Sequence, residues 1–382
     1  MALKRSRRGQ VPPFIVMDVM RAAEERERAG GEVLHLEVGQ PGGGAPAAVI
    51  AAAQQALVSD RIGYTGALGL WPLRQAIARH YQDAYGVGVD PEAVVVTTGS
   101  SGGFVLSFLA AFDPGDRVAL ASPGYPAYRN ILTGLGVQVV DMPATLEDNF
   151  QPTVAMLEGV SGDLAGLIVA SPSNPAGTMV PEDRFKALIE YCGRRGVRLI
   201  SDEIYHGITY GAKAATALAY TRDAVIINSF SKYYSMTGWR LGWMVVPPDL
   251  HRSVECLAQN LFISPPAISQ HAALAAFGCT QELDENVRRY ARNRALLLAE
   301  LPKAGFRRLA PADGAFYIYA DISELTNDAA EFCRRMLAET GVAATPGVDF
   351  DPARGHHFVR FSFAGAEAEI AEAAKRLKDW RR

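Results

Sequence analysis

The sequence predicts an α/β protein: a large domain with a mostly parallel sheet flanked by helices, and a smaller α+β domain. The main observation is a series of short apolar runs that alternate with helical periodicity between about residues 94 and 247. Such continuous runs are typical of strands that are buried on both faces. The runs cover residues 94–96, 118–120, 167–169, 197–200, 225–227 and 244–246.

Two further patterns complete this prediction. Residues 181–195 have helical periodicity, and Pro181 is well placed to begin that helix. The C-terminal part mixes helical and strand-like stretches, at residues 281–301, 314–319, 328–339 and 357–363. We predict that residues 46–278 form the large domain and that both chain ends, residues 1–45 and 279–382, form the small one.

The bulk composition excludes several classes of protein. Hydrophobic residues make up 49% of the chain and charged residues 21%, as in ordinary globular proteins. The net charge of −3 offers no basic field for nucleic acid. No apolar run is long enough to span a membrane, and none follows the basic residues 4–8 as it would in a signal peptide. We therefore expect a cytoplasmic protein.

The cysteines and histidines indicate neither a disulfide nor a metal site. The four cysteines are far apart and form no Cys-x-x-Cys pair, which favours free thiols in a reducing compartment. His356 and His357, with Asp351 nearby, do not have the spacing of metal ligands, so we expect no bound metal.

Polar side chains follow directly after four of the predicted strands. If these strands are parallel, their carboxyl ends meet at one edge of the sheet, where open α/β sheets bind ligands. The four segments are Gly99-Ser100-Ser101-Gly102, Ser171-Pro172-Ser173-Asn174-Pro175, Asp202-Glu203-Ile204-Tyr205 and Ser229-Phe230-Ser231-Lys232. Their convergence predicts a ligand site more strongly than any one segment does.

Lys232 is the most informative of these residues. Lysine accounts for only 7 of the 38 basic residues, so the chain generally uses arginine where a positive charge suffices. A lysine amine can form a Schiff base with the aldehyde of pyridoxal phosphate, whereas a guanidinium, which stays protonated, cannot. The alternative is a surface lysine whose stem lies along the sheet.

Pyridoxal phosphate needs several further groups, and the same edge can supply them. Asp202 can pair with the pyridine nitrogen, and Asn174 and Tyr205 are candidates for hydrogen bonds to the ring oxygen. Tyr125, held by flanking prolines, can pack on the ring. A phosphate is bound by N–H groups at a helix start and by hydroxyl and guanidinium donors. The candidates for this role are Ser100, Ser101, Gly102, Ser229, Ser231 and Arg240.

Individually, these residues also have ordinary structural explanations. Asp202 can cap a strand end, Asn174-Pro175 is a common turn dipeptide, and Tyr125 can be a packing aromatic. Their joint order along the chain makes a cofactor site the favoured interpretation.

In these residues the chain resembles the class I/II aminotransferases, which have fold type I of the pyridoxal-phosphate-dependent enzymes. The resemblance extends over nearly the whole chain. The most specific motifs are Ser229-Phe230-Ser231-Lys232, Gly238-Trp239-Arg240-Leu241-Gly242, Ser173-Asn174-Pro175-Ala176-Gly177-Thr178 and Ser201-Asp202-Glu203-Ile204-Tyr205. The resemblance implies a ping-pong transfer of an amino group between an L-amino acid and a 2-keto acid, with Lys232, Asp202 and Tyr205 as catalytic residues.

The resemblance adds three residues to the predicted site. Arg360 is similar to the arginine that binds the substrate α-carboxylate, and its planar fork suits that task. Gly39 is similar to a residue whose backbone contacts the substrate. Asn174 is also among the predicted substrate-binding residues. Tyr64 is similar to a tyrosine that reaches the phosphate in the neighbouring subunit, which implies a homodimer with shared sites.

Two departures from the family pattern bear on the substrate. Gly42-Gly43-Gly44 stands where the family often has an acidic or aromatic pair, and Ser101 stands where a bacterial subgroup that handles aspartate often has lysine. We therefore expect a neutral substrate, aliphatic or aromatic. The same fold and lysine serve carbon–sulfur β-lyases and related carbanion enzymes, so a lyase is the alternative activity. A regulatory sensor domain is disfavoured, because Gly39 comes too early to leave room for a DNA-binding domain.

Overall fold

A seven-stranded sheet forms the centre of the structure, a computed structural model that describes residues 3–59 and 62–380. The strands are β1 Leu34–His35, β2 Val94–Thr97, β3 Arg117–Ser122, β4 Gln138–Pro143, β5 Gly166–Ala170, β6 Arg198–Asp202, β7 Val225–Ser229, β8 Gly242–Val245, β9 Arg308–Leu309, β10 Tyr317–Asp321, β11 Val342–Ala343, β12 Thr345–Pro346 and β13 Phe358–Ser362. The helices are α1 Ile15–Arg28, α2 Ala47–Ser59, α3 Trp71–Tyr85, α4 Gly99–Ala111, α5 Pro126–Leu135, α6 Val154–Glu158, α7 Glu182–Arg195, α8 Pro248–Leu261, α9 Ala267–Ala276, α10 Thr280–Glu300, α11 Ala329–Thr340 and α12 Glu367–Asp379.

The predicted domains extend slightly beyond the residues that the structure describes. Residues 1–2 and 381–382 of the predicted small domain and residues 60–61 of the predicted large domain lie outside the described residues.

The strand order brings the predicted polar segments to one edge of the large sheet. The order is β2-β8-β7-β6-β5-β3-β4. β8 is antiparallel to both of its neighbours, and the other neighbouring pairs are parallel. Because two reversals cancel, β2 points the same way as β5, β6 and β7. The carboxyl ends of these four strands therefore lie at the same edge, as the sequence predicts.

Both faces of the large sheet are buried, which confirms the α/β fold class. Successive side chains along a strand point to opposite faces. Val94 and Val96 accordingly pack in one core cluster and Val95 in another. Leu167 and Ile168 are divided between the same two clusters. In a strand that is apolar at every position, each side chain therefore packs in an apolar core on one face of the sheet or the other.

The sequence does not predict β4, which lies at the edge of the large sheet. Most of its residues are partly or fully exposed, and Gln138 and Asp141 interrupt its apolar character. An edge strand needs to bury fewer side chains than a central one, so it leaves a weaker pattern in the sequence.

A four-stranded antiparallel sheet, in the order β12-β13-β10-β9, lies beside the carboxyl edge of the large sheet. Val359 and Phe361 of β13, with Phe363 just beyond it, belong to a second buried core. Arg360 lies between them and is directed to the opposite face. The parallel pair of β1 and β11 joins the N-terminal segment to this C-terminal part. The exact domain boundaries stay a prediction.

Candidate active site

A cavity of about 640 Å³ opens between the carboxyl edge of the large sheet and the four-stranded sheet. Eleven of the fourteen predicted site residues line it. They are Gly39, Ser100, Ser101, Tyr125, Asn174, Asp202, Tyr205, Ser231, Lys232, Arg240 and Arg360. Residues that are far apart in the sequence are thus brought together at the edge where the strand pattern places a ligand.

The three remaining residues lie outside the cavity wall. Ser229 is buried, and its Oγ lies 2.9 Å from Ser231 Oγ and 3.0 Å from the carbonyl oxygen of Leu241. Gly102 belongs to the first turn of α4, where an added Cβ would lie 2.6 Å from Thr98 Oγ1. Tyr64 is 84% exposed and does not line the cavity of its own chain.

Asp202 ends β6 and is buried beneath the cavity. Its Oδ1 accepts a hydrogen bond of 3.1 Å from the backbone N–H of Ile204, and its Oδ2 accepts one from the hydroxyl of Tyr128. Burial raises the pKa of Asp202 to about 6, although both hydrogen bonds and the charge of Lys232 act to lower it. The group is therefore a buried carboxylate at neutral pH and favours a cationic partner.

Lys232 follows β7, and its amine reaches the centre of the cavity. Its Nζ donates a hydrogen bond of 2.5 Å to the carbonyl oxygen of Gly39. Burial, helped by the positive charges of Arg360 and Arg240 and opposed by the charge of Asp202, lowers the pKa of Lys232 to about 8. An amine with this pKa is partly neutral near neutral pH, which suits a nucleophile or a base.

Position 39 requires glycine because the backbone there lies very close to a side chain of the four-stranded sheet. An added Cβ at Gly39 would lie 2.5 Å from the hydroxyl oxygen of Tyr317. That hydroxyl is 2.7 Å from the hydroxyl of Tyr205. The Gly39 carbonyl that accepts from Lys232 is thus held close to two hydrogen-bonded tyrosines.

Arg360 of β13 extends from the four-stranded sheet into the cavity, where several contacts hold its guanidinium. Its Nη1 donates a hydrogen bond of 2.9 Å to Asn174 Oδ1, and its Nη2 donates to the carbonyl oxygen of Glu37. Its Cζ lies 4.5 Å from the ring centre of Tyr317 and 4.8 Å from that of Phe350. Its Nε is buried without a hydrogen-bond partner. The guanidinium is therefore oriented by two rings and retains an unpaired donor.

The first turn of α4 and Arg240 form an electropositive corner of the cavity. α4 begins at Gly99, whose φ of +73° is in the left-handed region. An added Cβ there would lie 2.9 Å from Arg240 Nη2, and one on Gly242 would lie 2.9 Å from the backbone nitrogen of Ser100. The glycines thus allow a guanidinium and a helix N-terminus to meet, which favours a bound anion such as a phosphate.

The comparisons with known proteins identify the family. The family described as Aminotransferase class I and II matches residues 31–377. The chain belongs to this family. Valine–pyruvate aminotransferase of Mycobacterium tuberculosis is 54% identical over 98% of this chain and 97% of that protein. The (5-formylfuran-3-yl)methyl phosphate transaminase of Methanocaldococcus jannaschii is 33% identical over 96% of each.

A solved structure agrees with this assignment. The crystal structure of an aminotransferase from Mycobacterium tuberculosis superposes with a TM-score of 0.98 at 53% identity, over 99% of each chain. The protein is therefore an aminotransferase with a type I fold, and it transfers an amino group between an amino acid and a keto acid. The predicted enzyme class is confirmed.

Several residues that shape the active site of this aminotransferase are missed by sequence reasoning. Tyr128 donates to Asp202, and its ring lies 5.4 Å from that of Tyr125. The spacing of three residues on one helix face could have indicated this pair. No local pattern assigns a role at the site to Phe350 or Tyr317, because they contact Arg360 only in the folded chain.

Helix α1 also lines the cavity, through Val16, Met17 and Met20, together with Phe14 just before it. The sequence analysis assigns these residues no role. An apolar face on one amphipathic helix does not by itself indicate what it faces.

Two kinds of feature are absent from the part of the chain that the structure describes. Along residues 3–59 and 62–380, no helix combines the length and the apolar character that a membrane crossing needs. In the same residues, no group of three or more His, Cys, Asp or Glu side chains is arranged to hold a metal ion.

Proposed function

We propose that this aminotransferase uses pyridoxal phosphate to transfer the amino group of a neutral aliphatic amino acid, valine foremost, to pyruvate. The observation that carries this proposal is the lining of the cavity. Among its described residues the cations are Lys232, Arg240 and Arg360. We assign these to the cofactor aldehyde, the cofactor phosphate and the substrate α-carboxylate, respectively. No further cation remains among these residues to bind a carboxylate on the substrate side chain. α1 instead supplies an apolar surface for that side chain. The name of the Mycobacterium tuberculosis relative, valine–pyruvate aminotransferase, supports the same substrates.

The residues present fit pyridoxal phosphate, which when bound supplies an electron sink that lets a proton leave the α-carbon of an amino acid. Its phosphate fits the electropositive corner formed by Arg240, Ser100, Ser101 and the first turn of α4. Asp202 fits its ring nitrogen, because a carboxylate in a buried site stabilises a neighbouring positive charge.

The ring itself fits three more residues of the cavity. Tyr125 can pack against a ring face. Tyr205 and Asn174 can donate to the ring oxygen. Because Asn174 Oδ1 already accepts from Arg360, its Nδ2 group is left for this purpose. Ser231 lines the cavity, and Ser229 supports it through the contact between their hydroxyl groups.

The proposed roles of the chain in the reaction follow from these positions. The unpaired Nε of Arg360 and its neighbouring Nη groups bind the substrate α-carboxylate and orient the Cα–H bond. The amine of Lys232, with its pKa of about 8, accepts the α-proton and returns it. Asp202 stays ionised and holds a proton on its cationic partner.

We also propose a homodimer in which Tyr64 reaches the cavity of the partner subunit. Tyr64 is almost fully exposed and does not line its own cavity. Leu57 and Val58 of α2 are 63% and 87% exposed nearby in the sequence, and Leu261 and Ile263 are 49% and 53% exposed. Exposed large apolar side chains favour a protein interface. Four free cysteines support a reducing, cytoplasmic setting.

The substrate proposal is tested by a half-reaction screen. The purified holoenzyme is mixed with single amino acids, and the visible absorbance of the bound cofactor is followed. Valine and related aliphatic amino acids should react faster than aspartate, and pyruvate should then restore the original spectrum with formation of alanine. Faster reaction with aspartate would reject the proposed substrate class. Release of pyruvate and a thiol from cystathionine would instead favour the lyase alternative.

The dimer is tested by sedimentation and by mixing variants. Tyr64→Phe should sediment as a dimer but bind the cofactor more weakly. A mixture of Tyr64→Phe and Lys232→Ala should contain hybrid dimers that regain one complete site. A monomer, or a mixture without recovery, would contradict the shared site.

A further inference from the structure

Helix α1 begins without a cap from its own sequence. Phe14 occupies the N-cap position and makes no side-chain hydrogen bond to the helix. The first two backbone N–H groups are instead bound by Asp349, which is 334 residues away from Ile15. Asp349 Oδ1 accepts from Ile15 at 3.0 Å, and Oδ2 accepts from Val16 at 3.3 Å. A carboxylate at a helix N-terminus is favourable both as a hydrogen-bond acceptor and through the helix dipole.

Asp349 is placed between α1 and the carboxylate-binding arginine. It is only 6% exposed and lines the cavity. The next residue, Phe350, packs its ring against the guanidinium of Arg360. One short turn of the chain therefore contacts both the group that binds the substrate carboxylate and the helix that provides the apolar surface.

The body of α1 is attached to the C-terminal part of the molecule. Val19 and Ala23 pack in a small cluster with Leu337 and Ala343. At the far end, Arg26 Nη1 donates a hydrogen bond of 3.0 Å to the carbonyl oxygen of Ala338. These contacts keep the helix in place beyond its first turns.

The segment just before α1 is attached to the large sheet instead. The ring centre of Phe14 lies 5.8 Å from that of Tyr125, which precedes α5. The carbonyl oxygen of Pro12 accepts a hydrogen bond of 3.4 Å from Asn130 Nδ2 of α5. The chain thus crosses the cavity at the first turn of α1, where Asp349 binds it.

We propose that Asp349 is a positioning residue that holds the first turn of α1 over the cavity and thereby sets the preference for branched aliphatic side chains. The proposal rests on the proposed function, since it concerns the same substrates. The apolar surface that Asp349 holds in place consists of Val16, Met17 and Met20.

The expected size of the effect follows from the apolar area involved. The valine side chain has two more carbon atoms than that of alanine, and each buried carbon is worth about fourfold in binding, so a well-placed surface favours valine over alanine by about fifteenfold. Loss of the two cap hydrogen bonds allows the first turn to fray. The surface then recedes from a large side chain, whereas a small one that never touched it is unaffected.

The test compares valine with alanine in the half-reaction of the holoenzyme. In Asp349→Ala the ratio of second-order rate constants, valine over alanine, should fall by about fivefold to fifteenfold. Reaction with alanine should stay within about twofold of wild type. Asp349→Asn keeps the size of the side chain and one carbonyl acceptor, so its ratio should lie between that of wild type and that of Asp349→Ala. If Asp349→Ala does not fold, Asp349→Asn alone still tests whether the ratio falls.

A matched control separates positioning from general stability. Asp351 is also buried in this turn and accepts from the backbone N–H groups of Ala353 and Arg354, both at 3.0 Å, but it does not line the cavity. Asp351→Ala should lower the melting temperature and leave the ratio unchanged. The double variant Met17→Ala with Asp349→Ala should lose less than the product of the single effects, because both act on one surface.

The outcomes distinguish this proposal from the proposed function. A wild-type enzyme that does not react with valine rejects the proposed substrate. A wild-type enzyme that prefers valine, with the same ratio in Asp349→Ala and Asp349→Asn, overturns the positioning role alone. Equal slowing of valine and alanine also overturns it, since a purely structural role predicts that result.

Discussion

The floor and the cover of the active-site cavity are built in different ways. The floor is the carboxyl edge of the large sheet, with Asn174, Asp202, Lys232 and the first turn of α4. The cover consists of Arg360, Tyr317, Phe350, Asp349 and α1. Each floor residue ends a strand or comes within a few residues of its end, whereas the cover depends on contacts between the two ends of the chain. Variants of the floor should therefore affect the chemistry for every substrate, and variants of the cover should affect how substrates bind.

The largest effect is expected for Lys232→Ala in the floor. Removal of the group proposed to move the α-proton should lower kcat by at least about 10³-fold for every amino acid, because positioned acid–base catalysis alone contributes this much. The visible absorbance of lysine-bound cofactor should also disappear. Lys213→Ala, at an exposed lysine, is the matched control and should change neither quantity. Activity within tenfold of wild type would remove Lys232 from the reaction.

A smaller effect is expected for Arg360→Ala in the cover. Loss of charge-assisted hydrogen bonds to the substrate carboxylate should raise KM for amino acids by about tenfold to a hundredfold, with a smaller change in kcat. Arg308→Ala on β9 of the same sheet removes a partly exposed ion pair of 2.8 Å with Asp321 and should leave KM unchanged. Steady-state kinetics with two amino donors check both variants. An unchanged KM in Arg360→Ala would contradict the assignment.

Gly39→Ala tests the point where floor and cover meet. Its Cβ would lie 2.5 Å from the hydroxyl oxygen of Tyr317, so kcat/KM should fall by about tenfold as the two parts move apart. An added Cβ at Gly44 meets no atom within 4 Å, so Gly44→Ala should be nearly neutral. In a Tyr317→Phe background the obstructing oxygen is gone, and Gly39→Ala should cost less. Equal losses in both backgrounds would exclude this contact as the cause.

The smallest effect is expected for Tyr128→Phe, which changes the environment of Asp202 only. The hydroxyl of Tyr128 lowers the pKa of Asp202, which burial has raised to about 6. Without it the carboxylate becomes protonated at a higher pH, so the acid limb of kcat/KM should shift upward by at most about one pH unit. Activity at pH 8 should change little. Tyr81→Phe, at a buried tyrosine that accepts from Trp243, should leave the acid limb in place.

The same comparison explains how much the sequence predicts. The floor is predictable because strand and ligand group are adjacent in the chain, as with Val225–Ser229 and Lys232. Arg360 and Gly39 were found only through resemblance to a family. Tyr317, Phe350 and Asp349 were not found, since each acts on a residue far away in the sequence, as Asp349 does on Ile15. No local pattern encodes such contacts, which depend on how the two ends of the chain pack together.

The antiparallel direction of β8 determines how two of the cations in the cavity are held relative to each other. Because β8 returns directly from the edge at which β7 ends, one short connection, residues 230–241, carries both Lys232 and Arg240. A hydrogen bond of 3.1 Å from Phe230 N–H to the Leu241 carbonyl closes this connection at its base. The spacing between the amine and the guanidinium is therefore set within this one connection. A rearrangement of the chain ends around the cavity would therefore leave this spacing unchanged.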